Sequence, residues 1–566
     1  MSLLDPVHPH GQWREPVPHR RRAIDRRLDL ACTLAAAGDP DRVRSRRELA
    51  DRLDTTQVVV TVDPADGEPA LRAAAALVSM AARVVGQVSA PPLPLDQPNP
   101  WAAATLAGVI EASRVRGPAR TVERTITVGI GRATGAPGYG EPAARAHHSK
   151  SKGNGHGRHH SDVDIAFGGD DWTAVVTRDR PAAVGPCPLG GMGLQAAAAL
   201  AFGEVMKDLL GPMGMRHVGL DGVSGLDGQL VWNLVDGALG PRPVPPPAAD
   251  RRVWVPKVAL LGAGSIGSSA AAVLSMTRVL GRINVVDPDR FDPVHNAYRS
   301  PGVPAATTVP KADWAARLLA SRGWNARAHR QSVAEWDAAR DERGFAGLAL
   351  VSVDNVDGRR DAGDLLAETT VSAGAGGAAL HVHRHVAGDD LACPYCDLVD
   401  ARRWVDQAAV YARLGLTLPR LEALLGGQRL TVDDISTAIW TGSVDPRAMD
   451  DLPGGQLGDL LARHYATIGV PASAAPGQGA TGTARVSAPH VSWLAGTLLA
   501  TEVVKAAIGM PGLDRRVELD LSGVPLGGWR RPRRDPTGRC PCTQPSRREL
   551  ARSLYDHPDR SDSGDR

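Results

Sequence analysis

Short apolar runs alternate with alanine-rich amphipathic stretches along most of this chain. The run at 58–62 consists of valines and one threonine, which predicts a buried strand, and the alanine-rich stretch at 68–85 predicts a helix. After residue 250 an apolar run at 258–261 leads into a stretch of small residues that again predicts a helix. Strands that alternate with helices are typical of an α/β fold with a mainly parallel sheet. Further predicted elements are strands at 125–130, 163–167 and 172–177, a helix at 200–211, a strand after Gly377 and a helix at 488–508.

A proline-rich segment divides the chain into two parts. Residues 241–250 (PRPVPPPAAD) predict a stiff linker between an N-terminal α/β domain at 1–240 and a second domain at 251–545. Residues 145–161 are rich in His, Lys and Gly, and we expect a disordered loop there because such a segment cannot bury a core. The charged segment 546–566 predicts a disordered tail.

Composition narrows the classes of protein that this chain can be. Its 566 residues carry a net charge of +3 with the basic residues dispersed, which argues against nucleic-acid binding. The chain has no run of 18 apolar residues, and residues 1–22 are rich in Pro, His and Arg without a hydrophobic stretch. We therefore expect a cytoplasmic protein with neither a membrane partner nor a nucleic-acid partner.

A glycine motif follows the apolar run at 258–261. Gly262, Gly264 and Gly267 form G-x-G-x-x-G, and the next predicted strand ends in Asp287 and Asp289. Such glycines let the backbone approach phosphate at a helix N-terminus, and the acidic residue binds a ribose hydroxyl. The motif predicts nucleotide binding but does not separate NAD, FAD and ATP.

Charged residues after this motif favour ATP. Asn296, Arg299, Lys311, Asp354 and Asn355 follow in order, and lysine occurs only six times in the chain. Transfer of a nucleotidyl group builds negative charge on phosphate oxygens, so an arginine, a lysine and a carboxylate that holds a metal ion are expected nearby. Lys311 is predicted to begin an amphipathic helix with Trp314, Leu318 and Leu319, and a solvated charge in the first turn of that helix is the alternative role for this lysine.

Two local pairs of cysteines predict a metal site. Cys393 and Cys396 form C-x-x-C, whereas Cys540 and Cys542 form the tighter C-x-C. Four thiolates suit structural zinc, and inert buried thiols are the alternative. Cys187 precedes a predicted helix, and we expect it to be unreactive; Cys32 is predicted to lie in the core.

In these residues the chain resembles the ThiF/MoeB adenylyltransferases, which share their fold with the ubiquitin-activating enzymes. The similarity covers about residues 250–545, with one extra residue between Asp289 and Asn296 and Ala297 where leucine is common. It implies a Rossmann-like doubly wound sheet, with ATP and Mg²⁺ binding and transfer of AMP to a C-terminal carboxylate. It also implies that zinc clips the C-terminal segment to the core. The implied catalytic residues are Arg299, Lys311 and Asp354, which also binds magnesium; the implied nucleotide-binding residues are Gly262, Gly264, Gly267, Asp287, Asp289, Asn296 and Asn355.

The resemblance also predicts partners. The activated carboxylate would belong to a peptide, a sulfur-carrier protein or a ubiquitin-like protein, and residues 397–539 contain no cysteine that could form an internal thioester. Residues 200–211 resemble 498–509, so the N-terminal domain is predicted to be a degenerate, inactive copy of the second. The family pairs such domains, as a homodimer or an intramolecular pseudo-dimer. Arginines at 20–27 or 251–252 are candidates for the residue that reaches ATP from the partner domain.

Two other function classes remain open. A catalytically silent scaffold would bind nucleotide without releasing pyrophosphate, and an NAD- or FAD-dependent oxidoreductase would keep the glycine motif but would not need the Arg, Lys and Asp residues. His381, His383 and His385 alternate along a predicted strand, which indicates one strand face more simply than a metal site.

Overall fold

The computed structural model describes most of the chain, in segments. These are residues 46–115, 121–131, 164–178, 181–210, 229–240, 253–293, 296–354, 356–376, 378–389, 391–396, 414–425, 428–444, 450, 452–457, 459–460, 487–514, 516–521, 528–530 and 534–555. Several predictions lie outside them: the loop 145–161, the linker 241–250, the arginines at 20–27 and 251–252, Cys32 and Asn355.

The first half forms a six-stranded sheet in the order β2-β1-β3-β4-β5-β6. Strands β2, β1, β3 and β4 are parallel, whereas β5 and β6 are antiparallel additions at one edge. Its strands are β1 (Thr56–Val62), β2 (Gln87–Ser89), β3 (Arg124–Ile130), β4 (Ile165–Gly169), β5 (Thr173–Arg178) and β6 (Gln229–Asn233); its helices are α1 (Arg46–Asp54), α2 (Gly67–Val84), α3 (Leu106–Ser113) and α4 (Met192–Leu210).

The second half forms an eight-stranded sheet in the order β14-β13-β12-β11-β10-β7-β8-β9. Strands β9, β8, β7, β10 and β11 are parallel, and β12 to β14 are antiparallel. Its strands are β7 (Val253–Leu261), β8 (Val279–Val286), β9 (Asn325–His329), β10 (Phe345–Val351), β11 (Ala367–Gly376), β12 (Ala379–Val386), β13 (Arg516–Asp520) and β14 (Gly528–Arg530).

The helices of the second half begin with α5 (Ser265–Ser275), which follows the glycine motif, and end with α12 (Pro545–Tyr555). Between them lie α6 (Lys311–Ser321), α7 (Val333–Ala338), α8 (Val356–Asp364), α9 (Leu418–Leu425), α10 (Val432–Trp440) and α11 (Pro489–Ala507). The prediction of an α/β fold is confirmed, with two sheets in which parallel strands dominate.

The two sheets share a strand order. If β9 and β14 are set aside, the order β8-β7-β10-β11-β12-β13 repeats β2-β1-β3-β4-β5-β6 strand for strand. A long buried helix joins the last two strands of each series: α4 lies between β5 and β6, and α11 between β12 and β13. These two helices pack against each other, with the Phe202 ring 5.7 Å from the imidazole of His490. A single core therefore joins both halves of the described structure.

Both of these central helices are apolar on nearly every face. Almost every residue of α4 and α11 is buried, as expected for a helix surrounded by protein. Each contains a buried ion pair three residues apart, Glu204 with Lys207 and Glu502 with Lys505. The Lys505 ammonium also donates a hydrogen bond across the interface, 2.8 Å to the carbonyl of Val235 in the first half. Such pairing is what allows lysine to be buried at all.

His490 on α11 should make the stability of the protein depend on pH. Complete burial, assisted by the nearby charge of Lys207, lowers the pKa of His490 to about 3. The unfolded chain takes up a proton near the ordinary pKa of 6.5 that the folded chain does not, so stability falls as pH drops below 6.5. We expect His490→Leu to reduce this slope by about 1.4 kcal/mol per pH unit between pH 6 and 4. Urea unfolding of both proteins at several pH values measures it; equal slopes would contradict the assignment.

The C-terminal segment corrects one prediction. Residues 546–555 were predicted to be a disordered tail, which is wrong because Pro545–Tyr555 forms α12. The Tyr555 hydroxyl accepts a hydrogen bond from the backbone N–H of Phe345 (2.8 Å) and donates one to the carbonyl of Leu366 (2.5 Å). These bonds tie α12 to the starts of β10 and β11. The prediction failed because it relied on the many charged residues of this segment and did not take account of Tyr555, whose contacts hold the helix in place.

A small helical cluster lies between the cysteine pairs. Helices α9 and α10 bury a separate apolar core with its own leucines and isoleucine. Thr431 caps α10 in a reciprocal capping box with Asp434, which satisfies two backbone N–H groups at the helix start.

Within the described residues, no helix combines the length and the apolar character that crossing a bilayer requires.

Candidate functional site

The glycine motif forms a tight turn between β7 and α5. Gly262 has φ of +90°, a conformation that favours glycine, and its N–H donates to the carbonyl of Val286 at 2.8 Å. A Cβ on Gly267 would lie 2.1 Å from the Gly262 carbonyl oxygen, so the helix can approach the turn only with glycine there. A Cβ on Gly264 would meet nothing within 4 Å. The start of α5 therefore faces an open space that could receive an anion.

Asp287 holds this turn in place. Its two carboxylate oxygens accept the backbone N–H groups of Ala263 (2.6 Å) and Asp289 (2.9 Å). Burial raises the pKa of the Asp287 carboxyl, while the charge of Lys311 and these two N–H groups partly offset that rise. Asp287 thus has a structural role in the glycine turn, and its ribose contact stays a prediction.

Lys311 and Asp289 come together as an ion pair. The ammonium lies 2.7 Å from the Asp289 carboxylate, and the Lys311 backbone N–H also donates to the Asp289 carbonyl at 2.9 Å. Lys311 is the first residue of α6, and only 11% of its side chain is exposed, against 66% for Asp289. A mostly buried lysine beside the glycine turn differs from an ordinary solvated charge.

Asn296 shapes the turn that carries Arg299. Its side-chain oxygen accepts the N–H of Asp292 at 2.9 Å, and its carbonyl accepts the N–H groups of Arg299 (3.2 Å) and Ser300 (3.1 Å). Asn296 is buried, so we assign it a role in building this turn. Direct nucleotide contact by Asn296 stays a prediction.

Arg299 precedes a turn that lies beside α5. The turn that follows it packs on this helix: a Cβ on Gly302 would lie 2.8 Å from the Cβ of Ala272 and 3.3 Å from the carbonyl oxygen of Ser268. The Nε of Arg299 is buried and has no hydrogen-bond partner in the described part of the chain. A buried donor without a partner is costly, which is consistent with a ligand that completes it. No hydrogen bond between described residues joins Arg299 to Lys311 or Asp354.

Asp354 lies next to the glycine turn. Ser352, at the end of β10, donates its backbone N–H to the carbonyl of Leu261 (2.9 Å) and its hydroxyl to that of Gly262 (2.8 Å). Asp354 follows two residues later and is exposed. Its carboxylate therefore lies at the same edge of the sheet as the glycine motif, whereas the neighbouring Asn355 is outside the described residues.

Arg359 is a charged residue near this edge that the sequence did not reveal. Its guanidinium donates to the Ser372 hydroxyl and to the Ala373 carbonyl, both at 2.9 Å, which fixes α8 to β11. Burial lowers the pKa of Arg359 to about 10, and the negative charge of Asp354 partly counteracts this. Arg359 belongs to no motif, so only the fold identifies it as the buried cation facing Asp354.

Most of the predicted nucleotide-site residues therefore meet at one place. The glycine turn, Asp289, Lys311 and Asp354 lie where β7, β8 and β10 end, and open parallel sheets bind ligands at the carboxyl ends of their strands. No described contact joins Arg299 to these residues; the turn that follows Arg299 packs on α5.

The four paired cysteines form one cluster. The Sγ atoms of Cys393, Cys396, Cys540 and Cys542 all lie within 4.8 Å of one another, and two pairs are 3.5 and 3.2 Å apart. Tetrahedral zinc with Zn–S bonds of about 2.3 Å separates its sulfurs by about 3.8 Å, so the set fits zinc. The Tyr395 N–H points at the Cys393 sulfur at 3.4 Å, as a thiolate would favour. The C-x-C spacing is compatible with this geometry.

A carboxylate supports the second cysteine pair. One oxygen of Asp535 accepts the N–H groups of Arg539 and Cys540, each at 2.8 Å, and so shapes the turn that leads into C-x-C. The two cysteine pairs come from segments that are distant in sequence, since Cys393 and Cys540 are 147 residues apart. Zinc here would join the C-terminal segment to the end of β12.

Cys187 and His383 lie in surroundings that favour their uncharged forms. Burial, together with the charges of Asp171 and Asp170, raises the pKa of the Cys187 thiol, so it is a poor nucleophile. The Nε2–H of His383 donates to the Ala392 carbonyl (2.6 Å), and burial lowers the pKa of His383 to about 4. Among the described residues only the four-cysteine cluster groups as a metal site.

Comparisons with known proteins do not identify the chain. No protein-family model matches it, and no curated protein sequence does. Solved structures of E. coli MccB are similar at low level: the complex with MccA-N7isoASN has a TM-score of 0.30 and 13% identity over 51% of this chain and 67% of that one. The complex of the microcin C7 biosynthetic enzyme MccB with N-formylated MccA gives 0.30 and 14% over 51% and 67%, and MccB with ATP gives 0.28 and 14% over 50% and 64%. TM-scores of this size do not establish a shared fold or activity.

Proposed function

We propose that this protein is an ATP- and Mg²⁺-dependent adenylyltransferase that activates a C-terminal carboxylate. One observation carries the proposal: the glycine turn, the Lys311–Asp289 pair and Asp354 share one edge of a parallel sheet. Nucleotide binding alone would need the turn and an acidic residue. A lysine and a second carboxylate beside the phosphates suit nucleotidyl transfer, in which negative charge develops on the leaving pyrophosphate.

The residues divide the work of the reaction as follows. The N-terminus of α5 and the open space at Gly264 receive phosphate, and Asp289, which is exposed, takes a ribose hydroxyl. A carboxylate oxygen of the substrate attacks the α-phosphorus, the bond to the β-phosphate oxygen breaks, and pyrophosphate leaves with its electron pair. Arg299 and Lys311 neutralise the charge that develops on these oxygens.

Asp354 is the residue that would hold Mg²⁺. It is exposed at the phosphate edge, and Mg²⁺ in nucleotide sites commonly takes one or two carboxylates together with substrate phosphates. When bound, the ion would neutralise phosphate charge. The positive charge of the nearby Arg359 would offset the negative charge of Asp354 when no nucleotide is present.

Lys311 would exchange partners when ATP binds. Its ammonium is paired with Asp289 and is almost fully buried, so a triphosphate in the turn would compete for it. This arrangement keeps the lysine ordered before the substrate arrives, which reduces the entropy cost of binding.

The first half supports the proposal as a partner domain that has lost its own nucleotide turn. After β1 the chain reads Asp63-Pro-Ala-Asp66-Gly67, which lacks the G-x-G-x-x-G of the second half and carries two carboxylates. The Asp66 carboxylate lies in the space above Gly131, where a Cβ would come 1.5 Å from it. Two carboxylates would repel phosphate, so we propose a degenerate copy that pairs with the active half within one chain.

The substrate would be a peptide, a sulfur-carrier protein or a ubiquitin-like protein with a free C-terminus. Residues 397–539 contain no cysteine, so the acyl-adenylate would be attacked by a nucleophile from another molecule. Zinc at the four cysteines would be structural because all four coordination positions are occupied by thiolates.

Pyrophosphate exchange tests the proposal. The protein is incubated with ATP, Mg²⁺ and labelled pyrophosphate, with and without small proteins that end in Gly-Gly and are recovered by affinity capture. Label entering ATP only in the presence of a free C-terminus supports the reaction. ATP binding without exchange would favour a silent scaffold, and flavin or nicotinamide absorbance in the purified protein would favour an oxidoreductase.

Replacing Lys311 should affect turnover more than binding. We expect Lys311→Ala to lower kcat for exchange by about a hundredfold, since loss of one buried donor to a developing charge has effects of that size. Lys257→Ala is the matched control, because Lys257 also pairs with a carboxylate, Glu342, but away from this edge. A rise in KM for ATP with kcat unchanged would reassign Lys311 to ground-state binding.

A further inference from the structure

The turn after Arg299 is held by the other half of the molecule. The carbonyl of Pro301 accepts two hydrogen bonds from the N-terminal half, one from the indole N–H of Trp101 at 2.8 Å and one from the Ser79 hydroxyl at 2.7 Å. Trp101 is 1% exposed and Ser79 is fully buried. A carbonyl that accepts two buried donors is fixed in direction as well as position.

A buried arginine extends the same contact. The Arg83 guanidinium donates to the carbonyl of Val303 at 2.5 Å and to the Ser79 hydroxyl at 3.4 Å. The backbone N–H of Ala305 donates to the carbonyl of Ala112 at 2.8 Å. Burial lowers the pKa of Arg83 to about 9, and an arginine is seldom placed in such surroundings without a specific partner.

The opposite side of the turn rests on the nucleotide-binding half. Gly302 packs on α5, the helix that begins at the glycine motif, and on the ring of Trp493 from α11. Trp493 in turn stacks on Trp101, with ring centroids 6.1 Å apart and an interplanar angle of 27°. The turn is therefore enclosed between the two halves. Only Ser300 lies between Arg299 and Pro301, whose carbonyl accepts the two hydrogen bonds.

We infer that Trp101, Ser79 and Arg83 are positioning residues that set the place of Arg299 from the N-terminal half. The inference rests on the proposed function for the role of Arg299, but the contacts themselves do not. The first half would then contribute to transfer by holding a loop of the second half, without touching nucleotide. A displacement of about 1 Å in a charge-stabilising group can reduce turnover about a hundredfold, so such support would matter.

Matched tryptophan substitutions test this inference. Trp101→Phe removes the indole N–H and keeps a ring, and Ser79→Ala removes the second donor to Pro301. Trp172→Phe is the control: Trp172 is also buried in the N-terminal half, but its indole N–H has no partner among the described residues. Hydrogen exchange of the backbone amides at 297–305 and the kinetics of pyrophosphate exchange are measured on the full-length proteins.

We expect the Ser79→Ala/Trp101→Phe protein to exchange these amides at least about tenfold faster, since each lost hydrogen bond weakens local closure. Its kcat should fall about tenfold or more with little change in KM for ATP, and Trp172→Phe should resemble the unsubstituted protein. In an Arg299→Ala background the same pair should have no further effect on kcat, because coupled residues are not additive.

The outcomes separate the inference from the function on which it rests. Unchanged amide exchange at 297–305 would overturn it, and so would an equal loss of kcat with and without Arg299. Faster amide exchange with unchanged kcat would overturn the catalytic part. If no carboxylate supports pyrophosphate exchange even in the unsubstituted protein, the proposed function fails, and the amide measurement still decides whether the N-terminal half holds the turn.

Discussion

Replacement of Asp354 by alanine is expected to reduce pyrophosphate exchange by at least about a hundredfold. Asp354 is an exposed carboxylate beside the glycine turn, and loss of the ligand for a phosphate-neutralising cation removes charge stabilisation during transfer. The folded structure should survive, because Asp354 is exposed. Initial rates over a series of Mg²⁺ concentrations give the result, and partial recovery at high Mg²⁺ would support a metal role.

Asp357→Ala provides the comparison. Asp357 lies three residues further on, is 74% exposed and forms an ion pair with the exposed Arg360, so the same removal of charge occurs away from the turn. We expect its exchange rate to stay within about twofold, given how little exposed pairs contribute. Full activity of Asp354→Ala would remove the metal role from this residue, whatever the comparison protein shows.

Removal of the metal from the four-cysteine cluster is expected to have the largest effect on stability. Structural zinc contributes about 10 kcal/mol or more in isolated peptide sites, which is as much as many whole domains possess. Cys540→Ser should therefore release the segment 534–555 from the end of β12, because Cys540 is fully buried and lies 3.5 Å from Cys393. Limited proteolysis should then cleave before α12, and metal analysis should show zinc lost.

Cys187→Ser is the control for loss of a thiol outside the cluster. Cys187 lies in the first half, and its Sγ contacts the carbonyl of Gly185 at 3.4 Å, outside the cluster. Its replacement should leave one zinc per chain and an unchanged proteolysis pattern. Purified protein that contains no zinc, and whose stability does not respond to a chelator, would show that the cluster is a set of inert thiols.

Much of the second half could be predicted from sequence because its signals are local. The glycine motif at 262–267 directly follows an apolar run and precedes a stretch of small residues. This local pattern predicts β7, the turn and α5. Lys311 was expected to begin a helix, and it does. The cysteine pairs also have a fixed spacing, so their meeting could be expected from ligand chemistry alone.

What could not be predicted depends on contacts between distant segments. Trp101 and Pro301 are 200 residues apart, and neither stands in a motif. Arg359 appears in the sequence as one of many arginines, and only the packing of α8 on β11 makes it the buried cation near Asp354. Asp287 illustrates a different limit: the motif predicts a ribose contact, whereas the turn itself uses both of its oxygens.

The packing of α4 on α11 also bears on how this molecule assembles. Lys505 crosses from one half to a carbonyl of the other, and both helices are buried on nearly all sides. Covalently connected segments meet at an effective concentration in about the millimolar range, so their union is insensitive to dilution. The two halves are consequently always present in equal amounts. Substitutions on the surface of either half would therefore not separate it from the other.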